Sequence, residues 1–131
     1  MRDHLTPGGI VALNVATVPD DKRLVAGVGG TLAADFPEVL EWPALRFNTF
    51  VLGFTEPLAA SELRRRLADG PRALASLRAL LARDARPVGV ASRPWTDDRA
   101  PVEWLTDRMI VSYAAQGGRL EEDYLPTRPT P

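Results

Sequence analysis

The fold is decided by a stretch near the amino terminus that reads Leu5-Thr6-Pro7-Gly8-Gly9-Ile10-Val11-Ala12-Leu13-Asn14-Val15. A turn at Pro7-Gly8-Gly9 leads into a short, almost continuous apolar run. Such a run is typical of a strand that is buried on both faces, as in a parallel sheet. Ligands of open α/β sheets collect beyond the carboxyl ends of the strands. We therefore predict a buried strand over residues 10–15, with Asn14 facing either a pocket or the loop backbone.

A helix and two further strands are predicted to follow this strand. Apolar side chains recur every four residues from Leu24 to Phe36, which places them on one stripe of a helix with the acidic residues Asp20 and Asp21 at its amino terminus. Segments 39–42 and 47–54 are rich in β-branched and aromatic residues and are separated by residues 43–46. They are expected to form two antiparallel strands.

A cluster of glycines, Gly27-Val28-Gly29-Gly30, lies inside the predicted helix. A dinucleotide-binding turn needs a third glycine at position 32, between a strand and a helix, and that position is Leu32. We therefore expect the glycines to allow close packing of the helix on the sheet, or a local kink, rather than to bind phosphate.

Helical periodicity dominates the second half of the chain. A helix that begins near Ala60 ends at Asp69-Gly70-Pro71, and the next helix carries a stripe formed by Leu74, Leu77 and Leu81. A last helix is expected from about residue 101. The glycines at positions 117 and 118 are expected to end the ordered domain, which gives a domain over residues 1–118 and an extended tail over residues 119–131.

The composition excludes several classes of function. The 131 residues are 45% hydrophobic and 25% charged, as in one ordinary globular domain, and the net charge of −1 gives no bulk attraction to nucleic acid or anionic lipid. No cysteine is present, which excludes disulfides, thiolate metal sites and cysteine nucleophiles. His4 is the single histidine, and it builds neither a zinc site nor a catalytic triad. No apolar run could span a bilayer, so we expect a cytoplasmic chain that binds neither nucleic acid nor membrane.

A second informative segment lies near the other end of the chain and reads Trp95-Thr96-Asp97-Asp98-Arg99-Ala100-Pro101-Val102-Glu103-Trp104-Leu105. Thr96, Asp97 or Asp98 could cap the last helix, with Glu103 returning the bond as in a capping box. The same carboxylates could instead hold a cationic polyamine, since a diamine needs several carboxylates along its length. Asp97, Asp98 and Glu103 are therefore candidate substrate-binding residues, together with Asn14.

Taken in this order, the two quoted segments resemble the C-terminal half of spermidine synthase-like proteins, the polyamine aminopropyltransferases with a Rossmann-like, S-adenosylmethionine-dependent methyltransferase fold. The resemblance covers about residues 5–110, and its most specific part is the run from Thr96 to Glu103. It implies an α/β fold in which one parallel-type strand and an antiparallel strand pair are packed with helices. It also implies that residues 49–54 lie between residues 10–15 and residues 39–42.

In that family an aminopropyl group moves from decarboxylated S-adenosylmethionine to putrescine, and an acidic residue helps to deprotonate the attacking amine. The glycine-rich turn, the nucleotide-binding acid and the catalytic aspartate belong to the N-terminal half, which has no counterpart in this sequence. The resemblance therefore assigns no catalytic residue and no cofactor to this chain. Decarboxylated S-adenosylmethionine or S-adenosylmethionine, with a small polyamine substrate, is expected only for the complete fold.

The resemblance also bears on partners. Without the preceding half, the first strand has one unpaired apolar edge, so we expect a homodimer or pairing with the missing N-terminal half. Two other functions stay open at this point. The chain could be a non-catalytic interaction or scaffold module, or a methyltransferase-like domain that binds a nucleoside.

Overall fold

The computed structural model describes residues 1–90 and 93–119. In these ranges a four-stranded sheet is packed with four α-helices, and two short 3₁₀ turns cover Arg2–His4 and Arg72–Leu74. In chain order the elements are β1 (Ile10–Ala16), α1 (Arg23–Ala33), β2 (Glu38–Leu45), β3 (Asn48–Phe54), α2 (Ala60–Ala68), α3 (Ala75–Asp84), β4 (Arg86–Pro87) and α4 (Val102–Ala115). The predicted tail lies outside the described residues from position 120 onward.

The sheet has the order β1-β3-β2-β4, and each pair of neighbours is antiparallel. The expected insertion of the third strand between the first two is therefore confirmed. Strand β3 pairs with β1 from Ile10↔Phe54 to Ala16↔Asn48, and with β2 along nearly its whole length. Pro43 continues β2 instead of ending it, and the register there is irregular, as is usual where a proline enters a strand. The result is an α/β fold on an antiparallel sheet.

Strand β1 forms as predicted, but the expectation that it is buried on both faces is wrong. Val15 is buried and Leu13 is partly buried, whereas Ile10, at the start of the strand, is 52% exposed and Asn14 is also exposed. The cause lies in the layers around the sheet. Helix α1 covers one face of β1, whereas α2 and α3 cover the opposite face of the sheet at β2 and β3 and leave β1 open.

Two hydrophobic cores lie on opposite faces of the sheet. The first contains β1, α1 and the central Val51, and the predicted stripe of α1 enters it with Leu24 and Leu32 buried and Val28 partly buried. The second joins Leu40 and Phe54 of the sheet to residues of α2, α3 and the loop before α2. A third, smaller cluster forms where α4 packs against the β2–β3 turn, through the buried residues Val18, Phe47, Met109 and Tyr113.

The predicted leucine stripe of α3 is only partly correct. Leu74 precedes the helix in a 3₁₀ turn, and Leu74, Leu77 and Leu80 are 49%, 47% and 42% exposed. Leu81 alone among the predicted three packs against a core. Helix α3 contacts α2 and β2 on one side, so the periodicity identified a helix correctly but could not say which side the sheet would cover.

Strand β4 was not predicted, because it consists of Arg86 and Pro87, which sequence patterns mark as a helix end. It pairs with Leu40 and Glu41 of β2. This pairing directs the following segment back across α1, where Val88 and Trp95 reach the first core.

Two glycines of α1, Gly27 and Gly29, lie against side chains of the segment after β4. A Cβ atom at Gly27 would overlap the indole of Trp95, and one at Gly29 would meet Val88 at 2.5 Å. The backbone N–H of Trp95 donates to the Thr31 hydroxyl at 2.9 Å, which fixes the indole over the helix. The expectation that these glycines allow close packing on the sheet is therefore wrong for Gly27 and Gly29, whose close neighbours are Trp95 and Val88 in the segment after β4.

Substituting Gly27 with alanine tests this contact. Alanine gains helix propensity of about 1 kcal/mol, but overpacking against the partly buried ring of Trp95 costs about 1–3 kcal/mol, so Gly27→Ala is expected to destabilise the chain by about 1 kcal/mol. Urea denaturation measures the change. The matched control is Gly89→Ala, where a Cβ meets no atom within 4 Å. Equal effects of the two substitutions would contradict the contact.

Candidate functional site

A cavity of about 320 Å³ opens beyond the carboxyl end of β1. Its walls are the loop from β1 into α1 and the last turn of α4, and they are formed by Val18, Pro19, Asp20, Asp21, Lys22, Arg23, Ser112, Tyr113 and Gln116. The end of a strand followed by a helix amino terminus is where α/β proteins usually bind ligands. The volume also falls within the range of small-molecule sites. This cavity is the candidate functional site.

The loop at the cavity is a tight turn with an unusual backbone. The N–H of Asp21 donates to the carbonyl of Val18 at 3.2 Å, which closes the turn Val18-Pro19-Asp20-Asp21. Asp20 has a φ of 67°, and no other non-glycine residue in the described part of the chain has a positive φ. Proline in the second position and a positive φ in the third are typical of a type II turn. The turn leaves Asp20 exposed at the cavity.

Asp21 and Arg23 form a charge pair at the start of α1. The guanidinium donates from Nε to Oδ1 at 3.0 Å and from Nη2 to Oδ2 at 2.5 Å, and the Arg23 backbone N–H donates to Oδ1 at 3.2 Å. These bonds from Arg23 hold the pKa of Asp21 below its ordinary value, with a smaller contribution from the charge of Arg108. The carboxylate stays ionised, and its charge favours the helix amino terminus as the sequence predicted.

Lys22, which lies between Asp21 and Arg23 in the sequence, forms a salt bridge to the sheet. Its Nζ lies 3.2 Å from Oε1 of Glu41, and the same oxygen accepts from Nε of Arg86 at 2.6 Å. Glu41 is 5% exposed, and its charge is balanced by these two cations, whose side chains are about half exposed. The cavity loop is thereby linked to β2 and β4.

The α4 wall of the cavity is anchored by Tyr113. Its ring is buried and meets Phe47 edge-on with centroids 5.6 Å apart, while its hydroxyl accepts from Nη2 of Arg46 at 3.4 Å. Ser112 and Gln116 lie at the cavity on the same stretch of helix. The site thus offers a carboxylate, an ion pair and several hydrogen-bonding groups around one opening.

Asn14 lies outside this cavity. It is on the exposed face of β1, where its Oδ1 accepts from Nδ2 of Asn48 at 2.9 Å. The side chain therefore contacts neither the cavity nor the loop backbone, the two environments that its position suggested. Its partner is an amide on the neighbouring strand β3.

Asp97, Asp98 and Glu103 are all exposed, and the predicted capping role is wrong. Helix α4 begins at Val102, and its N-cap residue, Pro101, has no side-chain cap. Asp97 and Asp98 instead belong to a separate turn, in which the Thr96 hydroxyl donates to Asp98 at 2.5 Å and the Arg99 N–H donates to the Thr96 carbonyl at 2.8 Å. Ala100 and Pro101 separate this turn from the helix, and no side chain of the turn caps the first helical N–H groups. Glu103 lies in the first turn of α4 itself.

These candidate residues are therefore not brought together at the cavity. The residues that form its α4 wall, Ser112, Tyr113 and Gln116, were missed because they lie some 90 positions from the loop in sequence. The Pro19-Asp20 pair is a turn signal that could have marked the loop. No group of three or more metal-binding side chains occurs in the described ranges.

Comparison of the chain with protein-family models, with curated proteins and with solved structures found no match. Among the helices in the described ranges, none has the length and apolar character needed to cross a membrane.

The strained turn predicts an unusual ranking of substitutions at Asp20. Both Asp20→Gly and Asp20→Ala remove the carboxylate, but glycine adopts a positive φ without penalty. We expect Asp20→Gly to be more stable than Asp20→Ala by about 1 kcal/mol in urea denaturation. At Asp35, an exposed position without positive φ, the ranking is expected to reverse, with alanine the more stable. The same ranking at both positions would contradict the turn geometry.

The Asp21–Arg23 pair predicts a pH dependence. The folded pKa of Asp21 is below 3.8, so its contribution to stability is present above pH 3.8 and is lost as the pH falls through the lowered pKa. Arg23→Met is expected to raise the pKa of Asp21 toward 3.8, as measured by NMR titration of the carboxyl carbon. Arg65→Met, which removes a partner of Glu62 instead, is the control and should leave the pKa of Asp21 unchanged. A rise with both variants would exclude a specific pair.

Proposed function

We propose that this chain is the C-terminal portion of a spermidine synthase-like aminopropyltransferase and is inactive until a nucleotide-binding half joins it. The observation that carries the proposal is the combination of the Thr96–Glu103 string with a sheet in which β3 lies antiparallel between β1 and β2. The resemblance in sequence implies this same strand order.

The outer edge of β1 supports the proposal physically. The bonds Thr55 N–H to Gly9 carbonyl and Thr17 N–H to Phe47 carbonyl frame the β1–β3 ladder, so the residues at odd positions of β1 pair with β3. By alternation, the N–H and C=O groups of Ile10, Ala12 and Asn14 point away from β3. No described strand pairs with this edge. In the proposed complete fold, a strand of the N-terminal half pairs there.

In such an enzyme, this half would supply no catalytic residue, and its loop at the end of β1 would lie beside the other half. The loop with Asp20, Asp21 and Lys22 lies at the carboxyl end of β1, next to the edge where the other half would join. Asp97, Asp98 and Glu103 are exposed and line no part of the cavity, so we assign them no substrate contact in the isolated chain. The complete enzyme would transfer an aminopropyl group from decarboxylated S-adenosylmethionine to a polyamine.

A second candidate function is that of a methyltransferase-like domain that binds a nucleoside by itself. The observation that favours it is the cavity of about 320 Å³ with hydrogen-bonding groups from both the loop and α4. This alternative differs from the first proposal in one respect that can be measured, since it needs no second half.

Isothermal titration with methylthioadenosine and with S-adenosylmethionine distinguishes the two functions. We expect neither ligand to bind the folded chain, because the groups that hold the nucleoside in the family belong to the other half. Binding at micromolar concentration would contradict the first proposal and favour the second. Loss of that binding in Gln116→Ala, with Asn48→Ala as the control, would assign it to the cavity.

A further measurement separates the first proposal from a pure interaction module, which would also leave both ligands unbound. An antibody against this chain is expected to capture, from its natural source, material that forms methylthioadenosine from decarboxylated S-adenosylmethionine and putrescine. Peptides of a glycine-rich strand–turn–helix should accompany it, on the same polypeptide or a partner. Captured material without that activity would favour the interaction module.

A further inference from the structure

The cavity between the β1–α1 loop and α4 is lined mostly by polar side chains, and three of them have no partner in the described ranges. Asp20 lies on the loop side, and Ser112 and Gln116 lie on the α4 side. No residue that the structure describes forms a hydrogen bond or an ion pair with any of these three side chains. Each of them therefore has its hydrogen-bonding capacity left for a bound molecule.

Charges of both signs lie at this cavity without cancelling each other. The carboxylate of Asp20 forms no ion pair within the described part of the chain. Lys22 shares the single carboxylate of Glu41 with Arg86, so one positive charge remains in excess there. The opening of the cavity thus carries an uncompensated negative charge beside an uncompensated positive charge.

The two cations at the cavity can bind an anionic group without giving up their present contacts. The side chains of Lys22 and Arg23 are 57% and 46% exposed. The ammonium of Lys22 has further N–H donors besides the one that reaches Glu41. Arg23 donates to Asp21 through Nε and Nη2, which leaves the N–H groups of Nη1 for another acceptor.

This arrangement selects against molecules that carry charge of one sign. A diamine would place its second ammonium near Lys22, and a dicarboxylate would place its second carboxylate near Asp20, and like charges held close together repel each other. A nucleoside would need a different surface, because a base binds through its flat faces. The ring of Tyr113 at this cavity is 8% exposed and already packs against Phe47.

We propose that this cavity binds a small zwitterion of the amino-acid type, with its ammonium group at Asp20 and its carboxylate at Lys22 and Arg23. The hydroxyl of Ser112 and the amide of Gln116 bond to the same molecule from the α4 side. The volume of about 320 Å³ is at the lower end of the range for small-molecule sites, as such a ligand requires.

The proposed zwitterion site is separate from both candidate functions, since it needs neither an N-terminal half nor a nucleoside. Its charged groups are open to solvent, which weakens each ion pair. We therefore expect a dissociation constant of about 1 mM.

A matched set of four-carbon probes tests the charge pattern. NMR titration of the full chain, at constant ionic strength, follows the backbone amides of residues 18–23 and 112–116. The probes are γ-aminobutyrate, butylamine, butyrate, 1,4-diaminobutane and succinate, and glycine and 6-aminohexanoate vary the distance between the two charges of the zwitterion. At least one zwitterion is expected to shift amides of both segments and to bind about tenfold more tightly than any probe with charge of one sign.

Two substitutions assign the two charges to separate residues. Asp20→Asn removes the carboxylate and keeps a side chain that tolerates a positive φ, so it should weaken the zwitterion about tenfold and leave butyrate unchanged. Lys22→Met should weaken the zwitterion and butyrate but leave butylamine unchanged. Asp35→Asn and Arg64→Met, at exposed positions that do not line the cavity, are the matched controls. The dispersion of the amide signals verifies that each variant folds.

Several results would overturn the proposal. Absence of amide shifts with all three zwitterions up to about 50 mM would do so. Equally tight binding of 1,4-diaminobutane or succinate would show a site for charge of one sign. Zwitterion binding that Asp20→Asn and Lys22→Met both leave unchanged would also contradict it. Shifts of the same amides by methylthioadenosine alone would assign the cavity to a nucleoside. None of these outcomes concerns the edge of β1, so the aminopropyltransferase proposal is tested separately.

Discussion

Strand β3 is the element on which the rest of the described structure depends. It has long pairings on both edges, with β1 on one side and β2 on the other. Its two faces also contribute to different cores, Val51 to the one beneath α1 and Phe54 to the one beneath α2 and α3. Because side chains alternate along a strand, the register of β3 decides which residues of β1 and β2 meet each helix layer. A slip of one position would exchange the two cores.

The second organising contact joins distant parts of the sequence. Trp95 lies against Gly27 in the middle of α1, and it immediately precedes the acidic turn that leads to α4. The indole therefore determines where the last helix enters the structure. Tyr113 and Met109 then pack beside Phe47, which completes the cavity at the start of α1. The glycines in α1 are thus a requirement of this packing, whatever their cost in helix propensity.

The elements that sequence reasoning predicted well are those whose signal is local. The apolar run before Asn14 and the four-residue repeat from Leu24 give β1 and α1 directly, and the strand order followed from a resemblance. The predictions that failed concern which neighbouring element covers a strand or helix. Burial of Ile10 depends on whether a helix covers β1, and exposure of Leu77 depends on which side of α3 faces the sheet. The predicted cap failed because α4 begins at Val102, after the separate turn that holds Asp97 and Asp98, and its N-cap residue is Pro101. The cavity joins a loop near position 20 to a helix near position 113, and no local pattern encodes that proximity.

One buried carboxylate connects the cavity loop with β4. Glu41 balances Lys22 in the cavity loop and Arg86 in β4 through the same oxygen. The two cations share one anion, so a molecule that draws Lys22 toward the cavity leaves the carboxylate more fully to Arg86. The charge state of the cavity loop and the electrostatic environment of β4 therefore depend on the same buried oxygen.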